Sequence, residues 1–303
     1  MMETPVESFD AYWTQTLDDL ATHPANPELD LIPLRSTEFA TLYGVRLTSS
    51  GPYRLFGYLS IPIGAGPFPA IYYAPKYQSV LEVIPQGTAN GQRRRYITFS
   101  LAARGQRNAD SPYAAAFPGL LTDGIESAAS YRFRGIVSDC VRGLDFLTTR
   151  EELDPSRVVV VGNDMALITA ALHPGATHVV TTPALFHQTA ALAPKAQAYP
   201  LEEINDYLRA FPDQTEAVHR TLSYYDLAAF APRVRANALI MAGPLNALLD
   251  RQALKPLTEA MAGPVTVYDL TLSSYQDGLF AETWIAEQCG ITTVADILPE
   301  HWR

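Results

Sequence analysis

Cysteine is scarce in this chain of 303 residues: there are two, Cys140 and Cys289. Two thiols so far apart make neither a disulfide framework nor a metal-ligand spacing, and the expectation is a protein of a reducing compartment, the cytoplasm. Long apolar runs are missing too. None reaches the ~18 residues of a membrane span, and no charged-then-apolar leader opens the sequence, so no membrane partner is expected. Positive charge is in deficit: 22 Lys and Arg against 32 Asp and Glu leave a formal charge of -10 and a pI near 5.0. An acidic surface repels phosphate backbones, which argues against nucleic acid as a partner. The one basic run, Arg93-Arg94-Arg95, is short and reads as a solvated turn before a strand. There is no internal repeat and no low-complexity tract. No acids or histidines recur at ligand spacing, so neither metal nor cofactor is expected.

What is present is core-forming material. Hydrophobic residues make up 48% and charged residues 18% of the chain, enough to bury a large interior. Phe9, Trp13, Leu17 and Leu20 recur at helical spacing, and a Pro-rich connector runs from Pro24 to Pro33. Leu42 to Leu47 and Leu55 to Ile61 read as strands around the turn cluster Ser49-Ser50-Gly51-Pro52. Further strands are expected at Ala70 to Ala74, Tyr96 to Ala102, Val158 to Val161, Val179 to Thr182, Ala238 to Ala242 and Val265 to Leu270. Val158 to Val161 is four consecutive valines, the pattern of a parallel strand buried on both faces. Before it, Ile136, Cys140 and Leu144 line one face of a helix, so Cys140 is expected in the core. Strands alternating with helices predict a mostly parallel, doubly wound α/β sheet. One domain, 1–303, is expected, with an N-terminal helix and connector over 1–40 and a helical cap inserted at about 190–222.

Gly162-Asn163-Asp164-Met165-Ala166 follows the valines and leads into the apolar helix Leu167 to Leu172. A buried strand, a tight turn with small residues two before and two after its centre, and then a helix describe a nucleophile elbow. The centre is expected to be strained, with its side chain exposed above the sheet, and Asp tolerates positive φ better than most residues.

Other stretches extend the pattern: Phe9-Asp10-Ala11-Tyr12-Trp13, Phe68-Pro69-Ala70-Ile71, Arg104-Gly105-Gln106, Tyr131-Arg132-Phe133-Arg134-Gly135 with Asp139, Asp154 before Arg157, and Thr221-Leu222-Ser223-Tyr224-Tyr225-Asp226. In this order the chain resembles the acetyl xylan esterase and cephalosporin-C deacetylase family (carbohydrate esterase family seven) over nearly its whole length. The resemblance implies an α/β-hydrolase fold, removal of acetyl groups from small sugars and cephalosporins, a Ser-Asp-His triad and ring-shaped oligomers. Matched residue by residue, however, the serine position holds Asp164, the acid position Asn246, and the histidine position Gln276, or Asp277 if the register shifts by one. The oxyanion-hole tyrosine is kept as Tyr77, with Met165 following the elbow centre.

Serine esterase chemistry needs a hydroxyl nucleophile, an imidazole and a carboxylate to orient it. Neither amide, Asn246 or Gln276, titrates near neutral pH. Three readings follow: a non-catalytic homologue that binds a small, acetylated-sugar-like ligand or assembles with itself or an active relative; a hydrolase using Asp164 with a loop or cap histidine, His187 or His219; and residual acetyl-ester hydrolysis. In the first, the Asp164 carboxylate is expected to fold onto the Met165 N–H and the donors around Tyr77, with a lowered pKa.

Overall fold

The computed structural model describes residues 8–77, 90–106, 115–243, 247–271 and 273–291. Asn246, expected at the acid position, lies outside them. Among the described residues nine strands form one sheet: β1 Glu28–Leu31, β2 Ala40–Thr48, β3 Arg54–Pro62, β4 Phe68–Tyr73, β5 Ile97–Ala102, β6 Leu153–Gly162, β7 His178–Thr181, β8 Asn237–Ala242 and β9 Val265–Asp269, in the order β1-β2-β3-β5-β4-β6-β7-β8-β9. The first three and β5 pair antiparallel, and from β5 through β9 every pairing is parallel. The described α-helices are α1 Phe9–Ala21, α2 Asn90–Arg93, α3 Arg132–Thr148, α4 Asp164–Leu172, α5 Thr189–Leu192, α6 Glu202–Ala210, α7 Thr215–Ser223, α8 Leu227–Phe230, α9 Lys255–Ala260 and α10 Ser274–Gln288, with short 3-10 turns between some of them. This is the mostly parallel α/β arrangement the alternating pattern predicts. Parallel strands all end at one edge, and that edge is where α/β folds build their sites.

The valine run shows why the sheet needs both faces covered. Val158 and Val160 enter the larger core cluster, which also holds Cys140 and Leu144 of α3 and Leu167 of α4. Val159 points the other way, into a cluster with Trp284 and Ile285 of α10. All three are fully buried, and each such side chain contributes roughly 1.5–3 kcal/mol by leaving water. α1 is tied down by polar as well as apolar contacts. Trp13 Nε1 donates to the Tyr224 carbonyl at 2.9 Å, and the hydroxyls of Tyr12 and Tyr225 lie 2.7 Å apart. The Thr221–Tyr225 stretch is thus the seat of the N-terminal helix.

Two expectations change. The Pro-rich connector contains a strand, β1, which pairs antiparallel with β2 at the sheet edge; its Glu-Leu-Asp-Leu sequence alternates polar and apolar residues over only four positions and stays mostly exposed. Arg93 is not solvated but 1% exposed. Its guanidinium donates to Ser60 Oγ at 2.8 Å and to the Arg35 carbonyl at 2.9 Å, bracing α2 against β3. Among the described residues no helix is long and apolar enough to cross a membrane, and no cluster of His, Cys, Asp or Glu could hold a metal.

Candidate functional site

β6 delivers the chain to Gly162 and Asn163, and α4 begins at Asp164 itself. A side chain at Gly162 would sit 3.3 Å from the Ala74 carbonyl and 3.4 Å from the Ala166 Cβ, so small residues are what let strand and helix close up. Asp164 does not adopt positive φ; the described non-glycine residues that do are Asn26 and Gln188. Because Asp164 is already the first helical residue, the expected strain is absent, and its side chain is fully buried rather than exposed.

The Asp164 carboxylate does not turn to Met165 or Tyr77. It turns to the loop after β7. Oδ1 accepts from the Leu185 and Phe186 amides at 3.0 and 2.9 Å, and Oδ2 from the Ala184 and Leu185 amides at 3.0 and 3.2 Å. Three successive amides of a turn form a concave donor surface suited to an anion. Burial is the largest influence on the acid and raises its pKa, against the pull of the Phe186, Leu185, Asp164 and Ala184 amides. The expected lowering is therefore overturned by desolvation.

Tyr77 follows β4 at the same sheet edge, and its ring stacks near Phe133 at 6.4 Å. Its hydroxyl donates to Oε2 of Glu203, a fully buried residue of α6. Oε1 of Glu203 accepts from the Thr122 amide at 2.9 Å and its hydroxyl at 3.1 Å. Burial first, then Glu203, pushes the Tyr77 phenol far above its ordinary value; burial also raises Glu203, against its hydrogen bonds. A side chain at Gly119 would lie 2.5 Å from the Glu203 carboxylate, so only glycine leaves room there. Glu203 escaped the sequence reading, although it shares the buried side of α6 with Ile204 and, four residues on, Tyr207. An acid on an apolar stripe is the signal that could have found it.

Charged and amide contacts tie the surrounding loops to α3 and to one another. Arg104 grips Asp139 of α3 through Nε at 2.9 Å and Nη2 at 2.7 Å, and its own amide donates to the same carboxylate at 2.9 Å. Gln106 accepts from the Ala103 amide and donates to the Lys76 carbonyl, both at 3.0 Å, linking the loops after β5 and β4.

The remaining expected residues do not gather at the elbow. Gln276 is exposed in the first turn of α10. Asp277 is buried, and its Oδ1 accepts from Tyr268 Oη at 3.1 Å and from the Thr271 amide and hydroxyl at 2.9 and 2.7 Å. His187 directly follows the amides that hold Asp164, yet its buried ring sends Nε2 to the Ala253 carbonyl at 2.9 Å and leaves Nδ1 unpartnered. His219 faces a separate hollow of about 300 Å³ beside Gln188 and Asp226.

Two spaces open at the elbow. A small one, about 20 Å³, lies among Tyr77, Gln106, Asp164 and Met165. The large one is a cleft of about 880 Å³ over the ends of β6, β7 and β8, walled on one side by residues 195–200 leading into α6. Asn163, Thr182, Met241 and Leu248 line the cleft, and Asp164 does not.

Comparison with known proteins agrees with this architecture. The family model described as acetyl xylan esterase (AXE1) matches residues 2–278. The chain is similar to the acetyl esterase Axe7A of Xylanibacter ruminicola, 26% identical over 250 residues that make up 78% of this chain and 56% of that protein; it spans little more than half the length of that curated relative. Among solved structures, an acetyl xylan esterase from Paenibacillus sp. R4 superposes with a TM-score of 0.79 at 23% identity, covering 94% of this chain and 96% of its own. Acetyl xylan esterase 1 from Thermoanaerobacterium sp. JW/SL YS485 superposes with a TM-score of 0.78 at 22% identity, covering 93% and 94%. At these identities the two structures establish the fold.

Proposed function

The chain belongs to the acetyl xylan esterase family, and we propose that it is a non-hydrolytic member whose cleft binds a small ligand, of the acetylated-sugar kind its relatives' names imply. The observation that carries this reading is the state of Asp164. A nucleophile must present a free lone pair to the substrate. Here both carboxylate oxygens accept backbone amides, and the side chain is fully buried outside the lining of the cleft. A carboxylate nucleophile also needs a base to activate water for the second step. His187, directly after the amides that hold Asp164, spends Nε2 on a carbonyl, and Gln276 carries no imidazole. The cleft itself remains open, with hydroxyl and amide groups beside an apolar floor, the composition of a small-molecule site.

Hydrolysis of 4-nitrophenyl acetate and of partially acetylated xylo-oligosaccharides tests this. The expected result is no turnover above heat-denatured protein, by the wild type or by Asp164→Ser, since restoring the hydroxyl alone restores neither acid nor base. Acetylated xylo-oligosaccharides should nevertheless raise the melting temperature in a saturable way. A wild-type rate that Asp164→Ala abolishes would overturn the proposal in favour of an aspartate nucleophile.

A further inference from the structure

Lysine is rare in this chain. There are three, Lys76, Lys195 and Lys255, against 19 arginines. Lys255 sits away from the site on α9, 3.4 Å from Glu259. The other two both line the large cleft, one from each wall, and both are exposed. No carboxylate lies among the described residues lining that cleft, although the chain as a whole carries ten more acids than Lys and Arg together. The described lining thus carries two ammonium groups and no acid of its own, with Glu203 and Asp206 set behind Tyr77 and Tyr199, and low-dielectric walls concentrate the field of the exposed ammonium groups.

The same loop that carries Lys195 also carries Tyr199. This tyrosine is 55% exposed and lines the cleft mouth. It is not a loose surface ring. Its hydroxyl donates to Asp206 of α6, and Asp206 is paired in turn with Arg209. A large aromatic face left open to a cleft yet fastened at its far end is prepared to stack on a ligand at low entropic cost. Asn163, Thr182 and Gln197 add amide and hydroxyl groups to the lining, which suits a ring with one apolar face and a hydroxyl-bearing edge.

Resting on the ligand-binding reading, we propose that the cleft selects a sugar-ring carboxylate, a uronic acid or its glycoside, over neutral sugars: the ring stacks on Tyr199 and the carboxylate meets the ammonium of Lys195, with Lys76 on the opposite wall. An ammonium is a compact point charge that meets a carboxylate without the fixed fork of arginine, so the ring can seat on the tyrosine first. Both groups are solvent-facing, so salt screens their attraction and affinity falls as ionic strength rises.

Calorimetric titration with phenyl β-D-glucuronide and phenyl β-D-glucoside, which share ring and aglycone and differ in the carboxylate, tests the proposal. The glucuronide should bind about tenfold more tightly at low salt, a difference of about 1.4 kcal/mol. Lys195→Glu should erase that preference and leave the glucoside unchanged, while Tyr199→Ala should weaken both glycosides several-fold. Both residues are exposed, and an unchanged melting temperature confirms that the variants fold. Equal affinity for the two glycosides, or a glucuronide preference that survives Lys195→Glu, would overturn the inference and leave ligand binding intact. Binding of neither glycoside would overturn it as well, and the turnover assay then judges the non-hydrolytic reading on its own.

Discussion

Asp139 and Asp164 are both fully buried, on neighbouring helices under the same sheet edge, and they are held in opposite ways. Asp139 meets a guanidinium, with two side-chain bonds from Arg104 and one from its backbone. Asp164 meets no cation among the described residues, only the amides of a turn. The first pair lies in stretches that resemble the esterase family and joins the end of β5 to α3. The second stands at the turn between β6 and α4. The contrast separates two ways of holding a buried acid: Asp139 is paired with an arginine across two elements, and Asp164 pins the loop after β7 through its amides.

The sharpest way to break that contrast is to remove each acid in turn. Asp139→Ala strands Arg104, whose side chain is 13% exposed, without its counter-charge, and should cost about 3–5 kcal/mol in urea unfolding. Asp164→Ala leaves amides unpartnered but no buried charge, and the loop can relax toward water, so its expected cost is smaller, about 2–3 kcal/mol. Equal losses would mean that the amide cradle holds Asp164 as firmly as an arginine would.

A pH series sharpens the same point. Burial holds the Asp164 pKa above its ordinary value. The folded protein therefore keeps that proton in a window where the unfolded chain has lost it. The resulting stability is complete below the unfolded carboxylate pKa, about 3.9, and is lost as pH rises through the folded value. The stability of wild type relative to Asp164→Asn, measured by urea unfolding from pH 4 to 8, should thus decline with rising pH. A difference that grows with pH would show that the amides outweigh burial and hold the acid ionised.

The smallest effect belongs to the second carboxylate at this edge. Glu203→Gln keeps the shape but weakens the charge-assisted bonds from Tyr77 and Thr122, for about 1–2 kcal/mol. It should also let the Tyr77 phenol fall toward its ordinary range, because Glu203 raises it, and ultraviolet titration of the tyrosine would report this. An unmoved titration would leave burial as the whole cause.

Much of the frame was legible in the residues. The valine run, the small residues about the elbow, the stripe of α3 and the family-like stretches each point to the strand or helix that forms. The four-residue strand β1 was not, because its short alternation sits among the prolines of a connector that reads as a loop. Nor was the buried Arg93, whose run of three arginines looks solvated until Ser60 and the Arg35 carbonyl, far off in the chain, close around it.

That an acid stands at the turn between β6 and α4, and an amide at Gln276, was decided by sequence alone. Where the Asp164 carboxylate points was not. Its partners lie 20 to 22 residues later, on a loop placed only once β6 and β7 pair. The fate of His187, the link from Glu203 to Tyr77 and the meeting of two of the three lysines at one cleft have the same origin. Local patterns specify elements because they are read from neighbouring residues, whereas burial and hydrogen-bond partners across the sheet edge exist only after distant segments have packed.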